Sequence, residues 1–266
     1  MGEIMSDDFN KDLATAMIEQ TAGKAYDDVM HPGLEATGKV FSLLPRTIRV
    51  WFSKWEKWLL CHEYSIKETE KLLSDKLKNI PEEKIVEPEP YVAVPALQQL
   101  SYSFDSEELR EMYANLLASS MNSDKKWSVH PSFVDIIKQL CPDEAKLLKY
   151  LSTHPSQPVI DVQLNVPQGG YIEILHNFTS IYEGICDNPN GIFSYLDNLV
   201  RLKIIEIPFG VQINNDSVYE QLKNHNEIRR IMSQPQPEGY KYDIQKKKLQ
   251  LTAFGKEFIQ ICLSNK

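Results

Sequence analysis

The run MYANLLASSMNSDKKWSVHPSFVDIIKQLCPDEAKLLKYL, Met112 to Leu151, decides how the chain is read. It holds a histidine, several serines and a cysteine, all types able to do chemistry, inside a strong helical pattern. Asp105-Ser-Glu-Glu108 supplies an N-cap signal just before it. Leu109, Met112, Tyr113, Leu116, Leu117 and Ser120 then recur at the three- and four-residue spacing of one helix face. NSDKKWSV breaks that pattern, and Pro131 or Ser132 opens a second helix with Phe133, Ile136, Ile137 and Leu140 facing inward. Pro142 suits the first turn of a third helix, because a first-turn residue has no helical partner for its N–H. Asp143 and Glu144 sit where a helix start favours negative charge, and Leu147, Leu148 and Leu151 provide the apolar face. The histidine, serines and cysteine therefore read as parts of a packed three-helix joint.

Upstream, residues 1–30 form a polar leader, and His31-Pro32-Gly33 ends it. Ile48, Trp51, Phe52, Trp55, Trp58 and Leu59 make one apolar stripe flanked by Arg46, Arg49, Lys54 and Lys57. The stripe fits a core-facing helix, or a membrane-surface helix with basic edges. Ser65 and Glu68 have capping-box spacing. IPEEKIVEPEPYVAVP, with Pro81, Pro88, Pro90 and Pro95, reads as an extended connector over about 80–95.

Beyond His154-Pro155 the pattern changes. Val159 to Val166 alternates as a short strand, Gly169-Gly170 is a turn, and Ile172 to Ile185 reads as a helix. Pro189 to Lys203 is helical again. IIEIPFGVQI (204–213) and YKYDIQKKKLQL (240–251) read as two β runs with an inserted helix, DSVYEQLKNHNEIRRIM, between them. Thr252 caps a last helix, and Gly255 permits close approach of helix to strand. The order LDNLVRLKIIEI, hairpin, LQLTAFGKEFIQIC resembles winged-helix domains, although the inserted helix departs from their pattern. The expected fold is mainly α (α+β): an N-terminal helical bundle, then a winged-helix-like C-terminal domain with a small β-hairpin and an inserted helix. Its parts are the leader 1–30, a helical domain 31–128 and the winged-helix-like domain 129–266.

At 266 residues, 42% apolar and 25% charged, the chain has room for one large globular domain or two modest ones. Net charge is −8, unlike a generally basic nucleic-acid binder. Residues 1–128 carry 15 Lys and Arg against 22 Asp and Glu; residues 129–266 carry 14 against 15. Cys61, Cys141, Cys186 and Cys262 lie far apart beside apolar residues, which fits buried thiols in a reducing compartment. The N-terminus lacks a signal-peptide pattern, and no run reaches the ~18 apolar residues of a membrane span. A cytoplasmic protein is expected.

No zinc-ligand spacing, phosphate-binding glycine loop or serine-nucleophile elbow occurs, so no catalytic residue, cofactor or metal is assigned. Cys141 or Cys186 has no local partner that makes it a nucleophile. Glu107, Glu108 and Glu111 read as the acidic first turn of a helix. If the C-terminal unit docks on DNA, Asn190, Tyr195, Arg201 and Lys203 on the expected recognition helix and Lys246, Lys247 and Lys248 on the second β run are its contacts. Strand alternation would turn Lys247 to the opposite face from its neighbours.

EELREMYANLLASSMN (107–122) and VHPSFVDIIKQLCPDEAKLLKYL (129–151) resemble the Abi-alpha family, whose members show a "M-Y/W-A-x-L-L-A" helix and then "HPSFVxIIxQLSPxDAxLL". Met112, Tyr113, Ala114, Leu117, His130, Pro131, Ser132, Phe133 and Pro142 fill the motif, with Cys141 where a serine is usual. GLEATGKVFSLL (33–44) is family-like too. The resemblance implies a structural role for these residues and a place in abortive infection, in which an infected bacterial cell stops growing or dies before phage release. The resemblance says little about mechanism; with no catalytic motif in the sequence, action through a protein partner, of host or phage, is the leading expectation. DNA and a membrane surface are the other partners the sequence leaves open.

Overall fold

The computed structural model describes residues 71–100, 103 and 106–264. The leader, the Trp51–Trp58 stripe, the 33–44 stretch and the Ser65–Glu68 capping box lie outside them. The chain divides into two compact units, Met1–Val134 with Asn265–Lys266, and Asp135–Ser264.

In the first unit, residues 71–77 are helical and a 3₁₀ turn spans Glu82–Lys84. Helix α1 runs Pro90–Leu100 and packs on α2, Glu107–Ser120. Helix α1 corrects the expected extended connector over its second half. Val92, Ala93, Ala96, Leu97 and Leu100 bury one helical stripe. Pro90 falls at the first position, where a missing N–H costs nothing. Pro95 lies inside the helix and removes the donor for the carbonyl of Tyr91, a residue exposed to solvent. Only the residues just before α1 stay extended. There Ile85 bridges Asn122, the Val86 N–H donates to the Met121 carbonyl at 2.8 Å, and Lys84 pairs with Asp124 at 2.6 Å. The proline-rich segment is thus tied to the loop that follows α2.

Helix α2 begins at Ser106, whose hydroxyl accepts the Leu109 N–H, so the cap is the serine of the expected signal. From Met112 to Ser120 every residue is buried, including Asn115 and both serines, so the helix is enclosed on all sides over that stretch. Helix α3 spans Ser132–Lys138, and the Tyr113 hydroxyl donates to the Val134 carbonyl at 3.3 Å. His130 Nδ1 accepts the Ser132 N–H at 3.1 Å, capping the start of α3 locally.

The second unit contains helix α4 (Pro142–Thr153), strands β1 (Ser156–Asn165) and β2 (Tyr171–Phe178), helix α5 (Ile192–Arg201) and strand β3 (Ile205–Glu206). Helices α6 (Ser217–Lys223) and α7 (Asn226–Met232), strand β4 (Lys241–Leu251) and helix α8 (Ala253–Cys262) follow. The sheet is antiparallel in the order β2-β1-β4-β3. Its spine is the β1–β4 ladder, unbroken from Ser156↔Gln250 to Asn165↔Lys241.

Two sequence expectations change here. Residues 171–178 form strand β2, not the start of a helix. Ile172, Leu175, Phe178 and Ile181 recur every three residues and mimic a helical stripe. Gly169 and Gly170, at φ +92° and +88°, instead fold the chain back so that this segment pairs with β1. No helix therefore precedes α5 at 172–185, where a helix-turn-helix would need one. The run 204–213 is strand only at Ile205–Glu206; Pro208 and Gly210 (φ +72°) turn the rest into a loop. The inserted segment forms two short helices. They cover one sheet face through Tyr219, Leu222, Ile228 and Ile231 on Ile160, Val162 and Phe178. Buried Tyr219 is fully used: its hydroxyl accepts the Ile213 N–H at 2.8 Å and donates to the Lys247 carbonyl at 2.9 Å.

Thr252 caps α8, accepting the Gly255 N–H at 2.8 Å. A Cβ on Gly255 would lie 2.0 Å from the Ile204 carbonyl oxygen, so the close approach of helix to strand requires glycine. Gly255→Ala is expected to lower the unfolding free energy by about 1–3 kcal/mol in urea titration. Lys256→Ala, one residue on and exposed, serves as control and should stay within ~0.5 kcal/mol of the parent.

Candidate functional site

The corner between α3 and α4 is built on two buried carboxylates. Glu144 accepts the Cys141 N–H at 2.7 Å, closing the helix start from inside, and its other oxygen takes the Asn198 amide at 2.8 Å. Asp143 accepts the backbone N–H groups of Asp187 and Asn188, each at 2.9 Å, and the Tyr195 hydroxyl at 3.3 Å. Lys146 pairs with Asp187 at 2.7 Å and approaches Asp143. Asn198 also donates to the Gln139 carbonyl, and Arg201 reaches the Gln139 side chain at 2.9 Å and Asn198 at 2.6 Å. Tyr195, Asn198 and Arg201, spaced by three along α5, are therefore the stripe that locks α5 to the corner.

Burial by itself raises the Asp143 carboxyl pKa, but the Asn188 and Asp187 amides, Tyr195 and Lys146 together bring it below its ordinary value. Burial pushes the Cys186 thiol up to about 11, with the Asp143 carboxylate adding to the effect. Cys141 is raised by burial in the same way, and buried Cys262 well above its usual value. Cys141 and Cys186 are free, half-buried thiols held protonated at neutral pH, the opposite of an activated nucleophile.

Lys203 has a different duty from the one read in the sequence. It follows α5 at φ +60°; its N–H donates to the Val200 carbonyl and the Ile204 N–H to the Leu199 carbonyl, each at 3.0 Å. That pair of bonds is a Schellman helix end with lysine in the glycine position. Asn190 is exposed in the 3₁₀ turn Pro189–Gly191 that precedes α5.

The lysine triplet splits across the sheet, as alternation requires. Lys246 pairs with Asp216 at 2.8 Å and lies over the Tyr219 ring on the α6 side. Lys247 points to the other face, where its ammonium bridges both oxygens of buried Asp161 (3.2 and 3.0 Å) and Asn177 Oδ1 at 2.6 Å. Lys248 is half-buried. Tyr195, Arg201, Lys246 and Lys247 each already hold a bond within the protein. Among the Glu107–Glu111 carboxylates, Glu108 approaches Ser106 Oγ at the cap and Glu111 lies 3.7 Å from Lys76.

The Lys247 face carries a group of side chains that the sequence reading missed. Asp161 Oδ1 accepts the Asn177 N–H at 2.8 Å, and Asn177 takes a left-handed backbone (φ +53°). His176 Nδ1 lies 3.0 Å from Glu173 Oε2 and 3.5 Å from Asp161 Oδ1. Reading 172–185 as a helix hid this arrangement, because Glu173, His176 and Asp161 converge only through the β1–β2 pairing. Beside it runs an exposed edge. Strand β2 is the outer strand of the sheet, with Tyr171, Ile172 and Ile174 at 56%, 50% and 40% exposure. Phe209, in the loop after β3, is 98% exposed.

The described residues thus define a mixed α+β protein with a four-stranded antiparallel sheet and a polar cluster next to an uncovered edge. None of its helices among these residues is long and apolar enough to cross a membrane. The family model described as "Abortive infection alpha" matches residues 61–262, and the chain belongs to that family. No curated protein matches. Among solved structures it is similar to an uncharacterized protein from the hydrocarbon-degrading marine bacterium Alcanivorax borkumensis SK2. Identity there is 16% over 53% of this chain and 96% of that chain, with a TM-score of 0.34.

Asp143→Asn should cost on the order of 2 kcal/mol of stability at neutral pH, since it puts an amide where donors converge. A carboxyl whose folded pKa is depressed contributes its stability above its unfolded value of about 3.9 and loses it as pH falls through the folded value. The gap between parent and variant should therefore narrow between pH 7 and pH 3 in urea unfolding. Lys203→Gly should stabilise by about 1 kcal/mol, since glycine adopts the left-handed conformation without the Cβ penalty; a lower urea midpoint would contradict the helix-end role.

Proposed function

We propose that this protein takes part in abortive infection and acts by contact with another protein rather than by catalysis. Membership of the abortive infection alpha family over residues 61–262 carries the first half of this reading. The outer edge of β2 supports the second. An edge strand offers a row of backbone donors and acceptors, and proteins ordinarily guard it with lysine, proline or a covering element. Tyr171 to Phe178 contains no lysine, arginine or proline, and its apolar side chains Ile172 and Ile174 stand in solvent. That combination suits an extended segment of a partner protein adding as a further strand. The winged-helix-like comparison enters here only as topology: β1, β4 and β3 lie in the order of a wing sheet, with α6 and α7 in place of a simple wing. A DNA contact through α5 is the weaker reading, because Tyr195 and Arg201 are already bonded to the α3–α4 corner.

Expression in a phage-sensitive bacterial host should lower phage yield and kill or arrest infected cells before release. Unchanged plaque counts across a broad phage panel would overturn the reading. Ile172→Lys combined with Ile174→Lys should abolish protection while leaving the unfolding free energy within ~0.5 kcal/mol of the parent, since both positions are exposed, at 50% and 40%. Full protection by that double variant would remove β2 as the contact surface.

A further inference from the structure

We infer that Asp161, Glu173 and His176 form a binding site for a divalent transition-metal ion on the sheet face opposite α6 and α7. Each offers one donor atom, and the three atoms lie within 4.8 Å of one another. His176 Nδ1 lies 3.5 Å from Asp161 Oδ1, the spacing a tetrahedral ion requires, and 3.0 Å from Glu173 Oε2, a little less than that spacing. Zinc bonds to nitrogen and oxygen are about 2.0–2.2 Å, so adjacent donors sit roughly 3.3–3.6 Å apart. Glu173 and His176 come from one strand and Asp161 from its neighbour, so small side-chain rotations suffice.

The support around these donors resembles that of a ligand set. Asp161 is buried and oriented by the Asn177 N–H on Oδ1 and by the Lys247 ammonium. Oδ1 now accepts that N–H and, at 3.2 Å, the Lys247 ammonium; the ion displaces the ammonium from Oδ1 and leaves it on Oδ2 and on Asn177 Oδ1, an outer-sphere arrangement. With a neutral imidazole, two carboxylates and one ammonium leave the group at −1, which draws a dication. One nitrogen and two oxygens favour a borderline ion such as zinc over calcium or magnesium. A hydrogen now lies between His176 Nδ1 and Glu173 Oε2; the ion takes its place and the ring proton moves to Nε2, so the imidazole stays neutral. Glu173 and His176 are 48% and 50% exposed, which leaves the fourth position open to water or to a side chain from outside.

The test is titration of the intact protein with zinc by calorimetry, and with cobalt(II) by visible absorbance. The expected result is one saturable equivalent per chain and tetrahedral cobalt bands without a sulfur-to-cobalt transition. Affinity should fall at least ~10-fold in His176→Ala and in Glu173→Gln, both on the surface, and stay unchanged in His130→Ala. Absence of saturable binding, equal affinity in His176→Ala, or a thiolate signature pointing to Cys141 and Cys186 would each overturn the assignment.

Discussion

Two carboxylates taken out of water at the start of α4 hold the second unit together. A buried charge is costly unless every lone pair is used, and Asp143 and Glu144 use theirs on backbone amides, a tyrosine hydroxyl and an asparagine amide. The segment before α5 is fixed because its amides at 187 and 188 end on Asp143. Helix α5 takes its rotation from Tyr195, Asn198 and Arg201. Its direction carries through the lysine-ended turn to Ile204, whose carbonyl meets Gly255 of α8. One electrostatic requirement thus fixes the orientation of three helices.

The helical joint was legible because its signals are local. Leu116, Leu117, Phe133, Ile137, Leu147 and Leu148 are spaced for burial, and all are buried. Pro142 and Thr252 start helices through chemistry within a few residues. The roles of Asp143 and Glu144 were half legible. An acidic first turn implied the helix dipole, but nothing nearby announced that their partners lie some fifty residues on in Asn188, Tyr195 and Asn198.

The misread segments share a different cause. In α1 the prolines outweighed a clear apolar stripe, although one opens the helix and the other costs only one hydrogen bond beside an exposed residue. In β2 a three-residue apolar spacing was real but irrelevant, since tertiary pairing with β1 outweighs local preference. The same misreading concealed the polar cluster, because residues from two strands meet only after the register is known. The lysine triplet carries the complementary lesson. Alternation along β4 foretold the split between Lys246 and Lys247, but not that Asp216 and Asp161 would receive them.

The β1–β4 ladder joins the opening strand of the second unit to its closing one, with β2, α5, β3, α6 and α7 threaded between them. Closing such a long loop is slow compared with forming a local helix, so α4 and α5 can form well before the sheet exists. During synthesis β1 has only β2 as a neighbour until β4 leaves the ribosome, and the face later covered by α6 and α7 stays partly exposed. Folding of this unit is therefore completed by its final strand, and a chain stopped short of Lys241 would leave the β1 edge from Ser156 to Asn165 unpaired on a two-stranded ribbon, the kind of surface that chaperones bind and proteases cut.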